Sequence, residues 1–218
     1  MRALPRIVIR QPELWGFACL LMLCNVHLLS GSVPGGFGLC PDAPTLSWLI
    51  RVLVHPFVHV SWYHLFLDAG AFFLLYSGLM QQRACMRLFY LGACAVGSLS
   101  LCLVLSPDVR ANGLCGLSGV AHGLMAIAAL EMLTGKDRWL GTVCLALVMT
   151  KSVFEVLGNE VLFTSLHFGQ IGNAIPAAHL GGVLGGIAAF AASAVFRKYA
   201  NTVPSHGRVL ACEIRGRA

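Results

Sequence analysis

Charge is scarce in this sequence. Of its 218 residues only 11% are Asp, Glu, Lys or Arg, against about 25% in soluble domains. A globule cannot be covered by so few charges, which excludes an ordinary soluble domain. It also excludes a disordered chain, which needs low hydrophobicity and many charges. The formal charge of +6 does not indicate a nucleic-acid partner, because the basic residues are not gathered into one patch. No C-x-x-C pair occurs among the nine cysteines, and an odd number with most members in apolar stretches suits neither a disulfide framework nor a zinc site. Cys40 is the one thiol placed in an outward loop. What the chain has instead is apolar length: 57% hydrophobic residues and a mean hydropathy of +0.78.

Windows of mostly apolar residues near the length of about 20 needed for a membrane helix fall at 14–31, 61–79, 88–105, 114–133, 139–157 and 176–196. The expected fold is an all-α polytopic bundle of six transmembrane helices over 14–196, flanked by basic segments 1–13 and 197–218. Arg2, Arg6 and Arg10 precede the first span. Arg83 and Arg87 lie between the second and third, Lys136 and Arg138 between the fourth and fifth, and Arg197, Lys198, Arg208, Arg215 and Arg217 after the sixth. These twelve of fifteen basic residues share one side if the spans alternate. The positive-inside rule then makes both termini cytoplasmic and turns 32–60, 106–113 and 158–175 outward. Arg51, Arg110 and Lys151 are the exceptions. The first run is too long for a signal-peptide core and lacks an A-x-A-like site, so it is read as a retained anchor.

Ionisable groups inside spans are costly and mark function. Ser61 is placed to cap the second span, with Trp62 and Tyr63 at the outer interface. His64 follows, and Asp68 lies one turn deeper on the same face. His55 and His59 precede them around Pro56. The fourth span opens with Cys115-Gly116-Leu117-Ser118-Gly119 and carries His122 one turn below Ser118. The sixth opens at Pro176, followed by His179. Ser118 and His179 are each expected about four residues into their helices, at matched depths of about 5–6 Å. Gly119 and Gly123, and Gly182 and Gly186, are small-xxx-small pairs that permit close helix contact, the latter on the face of His179.

This geometry suits nucleophilic chemistry. A serine hydroxyl needs a base during attack, which a neutral imidazole supplies, and the resulting oxyanion needs fixed donors. The first-turn N–H groups near Ser118 and the ring of His64 are candidates. The result is a Ser–His dyad with no obvious acidic third member. Lys151 and Glu155, four apart in the fifth span, read as a structural ion pair. His167 reads as a loop histidine. A metal or haem protein built on His55, His59, His64 and His122 is a weaker alternative, because about 180° separates His55 from His64 on a continuous helix. A transporter is weaker still, with no apparent inverted repeat.

Gly116-Leu117-Ser118-Gly119 resembles the GxSG nucleophile motif of the rhomboid intramembrane serine proteases, and Ala178-His179 followed by glycines resembles their general-base helix. The His55, His59, His64, Asp68 array is similar to their second-helix motif, His-x3-His-x4-His-x3-Asn, except at its last place. The resemblance covers about 14–196. It implies a Ser118–His179 dyad, an oxyanion hole from His64, position 68 and the Ser118 amide, and supporting roles for Gly116, Gly119, His122 and His59. It implies peptide-bond hydrolysis near the outer membrane face with no cofactor, metal or nucleic acid. Within the family the chain looks most like the rhombosortase branch. That branch implies a bacterial inner-membrane enzyme, active site toward the periplasm, acting on membrane-anchored proteins with a C-terminal Gly-Gly, transmembrane helix and basic tail. A catalytically inactive rhomboid-like protein that binds membrane clients is the alternative. Two residues depart from the pattern. Asp68 replaces Asn and, if ionised, accepts hydrogen bonds only, so it is expected to pair with His64. His122 stands where many members have Tyr, and packing against His179 is its expected role.

Overall fold

The computed structural model describes residues 11–31, 46–106, 109, 113–162 and 168–202. Cys40, Arg110, His167 and the basic residues of the two ends, Arg2, Arg6, Arg10, Arg208, Arg215 and Arg217, lie outside them. Among the described residues every regular element is helical. Helix α1 is Glu13–Cys24, continued by a 3-10 turn Val26–Ser30; α2 is Leu46–Val54, followed by a 3-10 turn His55–Phe57; α3 is Trp62–Gly78; α4 is Ala84–Leu105; α5 is Ser118–Thr134; α6 is Arg138–Gly158; α7 is Pro176–Thr202.

Glu13–Ser30, Ala84–Leu105, Arg138–Gly158 and Pro176–Arg197 are long and apolar enough to cross a membrane. Leu49–Phe57 and Trp62–Gly78 are apolar enough when taken together, and meet at an 83° bend, as a broken span or a re-entrant loop does. The segment 32–60, expected to be a loop, thus contains helix α2. The second expected span is α3, capped as expected by Ser61, whose hydroxyl accepts from the His64 N–H at 3.0 Å. The apolar helix α5 is shorter, at 17 residues.

The surface is that of an integral membrane protein. Met22, Phe66, Leu74, Val104, Leu147 and Phe154 are between 64% and 76% exposed, while Asp68, Arg87, Glu131 and Glu155 are buried. Water would invert that distribution. With lipid outside, burying apolar side chains cannot drive helix association, and close packing must do so. Glycine provides it on two faces of α7. Gly181 and Gly185 meet α4 at Gly97 and Ala93, and Gly182 and Gly186 meet α5 at Gly119 and Gly123. A Cβ at Gly186 would lie 2.6 Å from the Gly123 carbonyl oxygen, so the backbones are in contact. Helix α5 is consequently buried over most of its surface, from Gly119 and Val120 to Ala129 and Glu131, with Met125 exposed.

Polar groups close the end of the bundle where α3 stops. Arg87 ion-pairs with Glu13, its Nε donating at 2.8 Å, and also donates to the Gln81 and Gln82 carbonyls at 2.9 and 2.8 Å. The Glu131 carboxylate accepts from the Met80 and Gln81 N–H groups at 2.6 and 3.0 Å, tying the turn after α3 to α5. Removing one partner of a buried ion pair leaves the other uncompensated, at about 3–5 kcal/mol. Arg87 keeps two carbonyls, so Glu13→Ala is expected to cost about 3 kcal/mol, measured as a lower unfolding midpoint in detergent. An unchanged midpoint would show that the pair contributes nothing.

Candidate active site

The first turns of α3, α5 and α7 and the last turns of α6 meet around a cavity of about 430 Å³. Its walls include His64 and Asp68 of α3, Ser118 and His122 of α5, Lys151 of α6 and His179 of α7. The described residues after α6, including Leu162 and Gly172, form part of it as well.

Ser118 is the first residue of α5, not a residue one turn inside it. The expected helical start at 114 fails at Gly116, whose φ of +100° has no place in a helix and is unfavourable for a side chain. Gly116 is also sterically required: a Cβ there would lie 2.8 Å from His64 Nε2 and 2.9 Å from Asp68 Oδ2. Its N–H donates to the His55 carbonyl at 3.2 Å, which docks the segment before Ser118 on the turn before α3. Starting the helix at Ser118 leaves the first-turn N–H groups without intrahelical acceptors, available to an anion.

His179 is the fourth residue of α7, so the two residues do not sit at equal helical depth. They are brought together by the glycine contact. A Cβ on Gly119 would lie 2.7 Å from the Ala178 carbonyl, so the immediate neighbours of Ser118 and His179 touch. Among the described residues no direct hydrogen bond joins the Ser118 hydroxyl to the His179 ring. Such bonds commonly tighten only when substrate is present.

His179 is gripped on two sides. His122 stacks on it with centroids 4.0 Å apart and planes 13° from parallel, so His122 packs against His179. His179 Nδ1 lies 2.7 Å from Glu155 Oε2. The same carboxylate accepts through Oε1 from Lys151 Nζ at 2.6 Å and from the Leu162 N–H at 3.0 Å. Lys151 Nζ also donates to His122 Nε2 at 3.0 Å. His122 Nε2 is then an acceptor, and its Nδ1–H donates to the Ser118 carbonyl at 2.8 Å.

Glu155 corrects the sequence reading. Lys151 and Glu155 do pair, but the carboxylate is a shared acceptor whose other oxygen faces His179, so an acidic group adjoins that histidine after all. One signal was available, namely a carboxylate in an apolar span, which is costly unless used. Its target could not be read, because spacing along α6 does not say which helix the buried face meets.

The second histidine array is assembled as well. Asp68 Oδ2 lies 3.2 Å from His64 Nε2 and 3.5 Å from His59 Nε2, and the two rings meet edge to face at 4.9 Å. His55 is not part of this group; its Nδ1 donates to the Val52 carbonyl at 2.7 Å. The segment is braced from α1: Asn25 Oδ1 accepts from the His59 N–H at 2.8 Å, and its Nδ2 donates to the Phe57 carbonyl at 2.7 Å.

His55, His59, His64 and His122 therefore do not form one ligand set. Among the described residues, His122, Glu155 and His179 place ligating atoms within 4.8 Å of one another. The Lys151 ammonium already contacts two of these residues and supplies the positive charge there.

Residues 47–195 match the family described as Rhomboid domain. No curated protein and no solved structure matches the chain.

Proposed function

Because the chain belongs to the rhomboid family, we propose that it is an intramembrane serine endopeptidase in which Ser118 is the nucleophile and His179 the general base. The observation carrying this reading is that both residues line one cavity at a glycine-mediated contact between α5 and α7. His179 takes the hydroxyl proton as Ser118 Oγ bonds to the scissile carbonyl carbon, and the carbonyl electron pair moves onto oxygen. When the tetrahedral species collapses, the C–N bond breaks and the same proton leaves on the amine. Water then adds to the acyl-enzyme, giving a proton to His179 that returns to Ser118 as the acid is released.

The oxyanion is assigned to the Ser118 amide and His64; because His64 Nε2 faces Asp68, an N–H for the oxyanion as well requires a ring carrying hydrogen on both nitrogens, whose charge Asp68 balances. An ionised Asp68 would repel an oxyanion, so its contribution is to hold the ring. Gly116 and Gly119 permit the approach of α3 and α7 to the nucleophile, and His59 and His122 pack the site. Asp68→Asn is expected to lower cleavage about tenfold, less than the 10²–10³-fold typical of losing an oxyanion donor itself. Unchanged or higher activity in that variant would rule out a required carboxylate.

The substrates are membrane-anchored proteins, and the rhombosortase-like reading of Cys115-Gly116-Leu117-Ser118-Gly119 makes them proteins with a Gly-Gly, transmembrane and basic-tail terminus. The accompanying topology is six spans in a bacterial inner membrane, cytoplasmic termini and a periplasmic active site. The test is a fluorophosphonate probe together with co-expression of such a substrate. Wild type is labelled and cleaves; an unlabelled, inactive wild-type protein would favour the client-binding alternative.

A further inference from the structure

We infer that Glu155 completes the Ser118–His179 pair as a positioning third member, with Lys151 as the clamp that holds it. This rests on the proteolytic reading above. A histidine accepts the serine proton only in the tautomer whose hydrogen is on the far nitrogen, and packing alone does not choose between tautomers. Here the choice is made by a carboxylate oxygen 2.7 Å from Nδ1, which accepts the Nδ1–H hydrogen bond and leaves Nε2 without hydrogen, as the acceptor.

The carboxylate cannot swing away. Glu155 is fully buried, and its other oxygen is held by the Lys151 ammonium and the Leu162 N–H. If Glu155 served only to neutralise Lys151, an interaction at Oε1 would be enough; the contact at Oε2 is additional and points at the base. The ring is confined in the remaining direction by His122, whose own Nε2 is engaged by the same ammonium. One lysine therefore orders both groups that hold His179.

Charge argues the same way. When His179 takes the serine proton it becomes a cation near Lys151. Glu155 lies between the two and interacts with both, so proton transfer does not set two uncompensated positive charges side by side. Without the carboxylate, the imidazolium formed during attack would face an ammonium in a site of low polarity.

The test is steady-state cleavage of a transmembrane reporter by the full-length protein in detergent, with the unfolding midpoint measured on each sample. Glu155→Gln is expected to lower kcat on the order of 10²–10⁴-fold with little change in KM, as for other buried triad acids. Glu155→Asp is expected to recover part of that loss. The double variant Lys151→Met with Glu155→Gln leaves no unpaired charge. It is expected to regain the midpoint lost by the single variant while kcat stays at least about tenfold below wild type. A kcat within about threefold of wild type in either Gln variant, or one that recovers in step with the midpoint, overturns the inference and leaves Glu155 a structural residue. Ser118→Ala in the same assay separates the two readings. If it still cleaves, the serine mechanism itself fails; if it is inactive while Glu155→Gln is active, only the third member is lost.

Discussion

Ser118→Ala is expected to abolish cleavage, on the order of 10⁶-fold, and His179→Ala to do nearly the same, with fluorophosphonate labelling lost in both. In the proposed mechanism the two positions act as one unit: the hydroxyl is not nucleophilic without a base, and the base has no proton to take without the hydroxyl. The double variant should therefore be no less active than either single one, the non-additive pattern of a shared step. Among the described residues the Ser118 hydroxyl makes no hydrogen bond, so Ser118→Ala should fold and unfold like wild type. Because His179 also packs on His122 and contacts Glu155, His179→Ala is expected to lose stability as well. Ser118→Ala carries the cleaner test. Cleavage above one hundredth of the wild-type rate, a cut far above the residue expected from a millionfold loss, would remove Ser118 from the nucleophile's place.

Gly182→Val is expected to be the most damaging substitution outside the polar site. A Cβ at that position would collide with the Gly119 carbonyl group, which is backbone and cannot rotate aside. Overpacking a core by a methylene costs about 1–3 kcal/mol when side chains can adjust; here a whole helix must move. The displaced contact is the one that seats α7 beside the residue following Ser118, so activity and folding yield should fall together. Gly70→Ala is the control, because nothing lies within 4 Å of a Cβ there. Alanine should be neutral or gain up to about 1 kcal/mol from helix propensity. If Gly182→Val kept the midpoint and activity of wild type, the α5–α7 backbone contact would not be what assembles the site.

Membrane embedding was legible in the sequence because lipid imposes a rule on composition that does not depend on fold: an apolar segment of the right length must cross or leave. The six windows and their basic flanks follow from hydropathy and charge, although the window from 114 began four residues before its helix and that from 88 four residues after its own. Residues 114–117 are apolar enough to extend α5, yet Gly116 stops the helix through its positive φ. His64 and Asp68 were legible as neighbours because a four-residue spacing puts side chains on one helical face whatever the helix packs against. The capping role of Ser61 was local in the same way.

Glu155 shows where local rules end. Spacing paired it with Lys151 and was correct as far as it went, since that interaction lies within one helix. Its contact with His179 crosses from α6 to α7 and depends on how the two are rotated and seated, which no periodicity encodes. The same holds for Ser118 and His179, whose expected equal helical depth did not hold and whose neighbours meet instead through the glycine contact. By itself the sequence determined the apolar helices, the polar residues within them and the pairs one turn apart, because each follows from hydropathy or helical pitch. Only the tertiary structure decided which of those polar residues face one another, because helix–helix contact in lipid is set by close backbone approach, at Gly119, Gly123, Gly182 and Gly186 for α5 and α7, and the separate seating of α6 beside α7 brings Glu155 to the ring of His179.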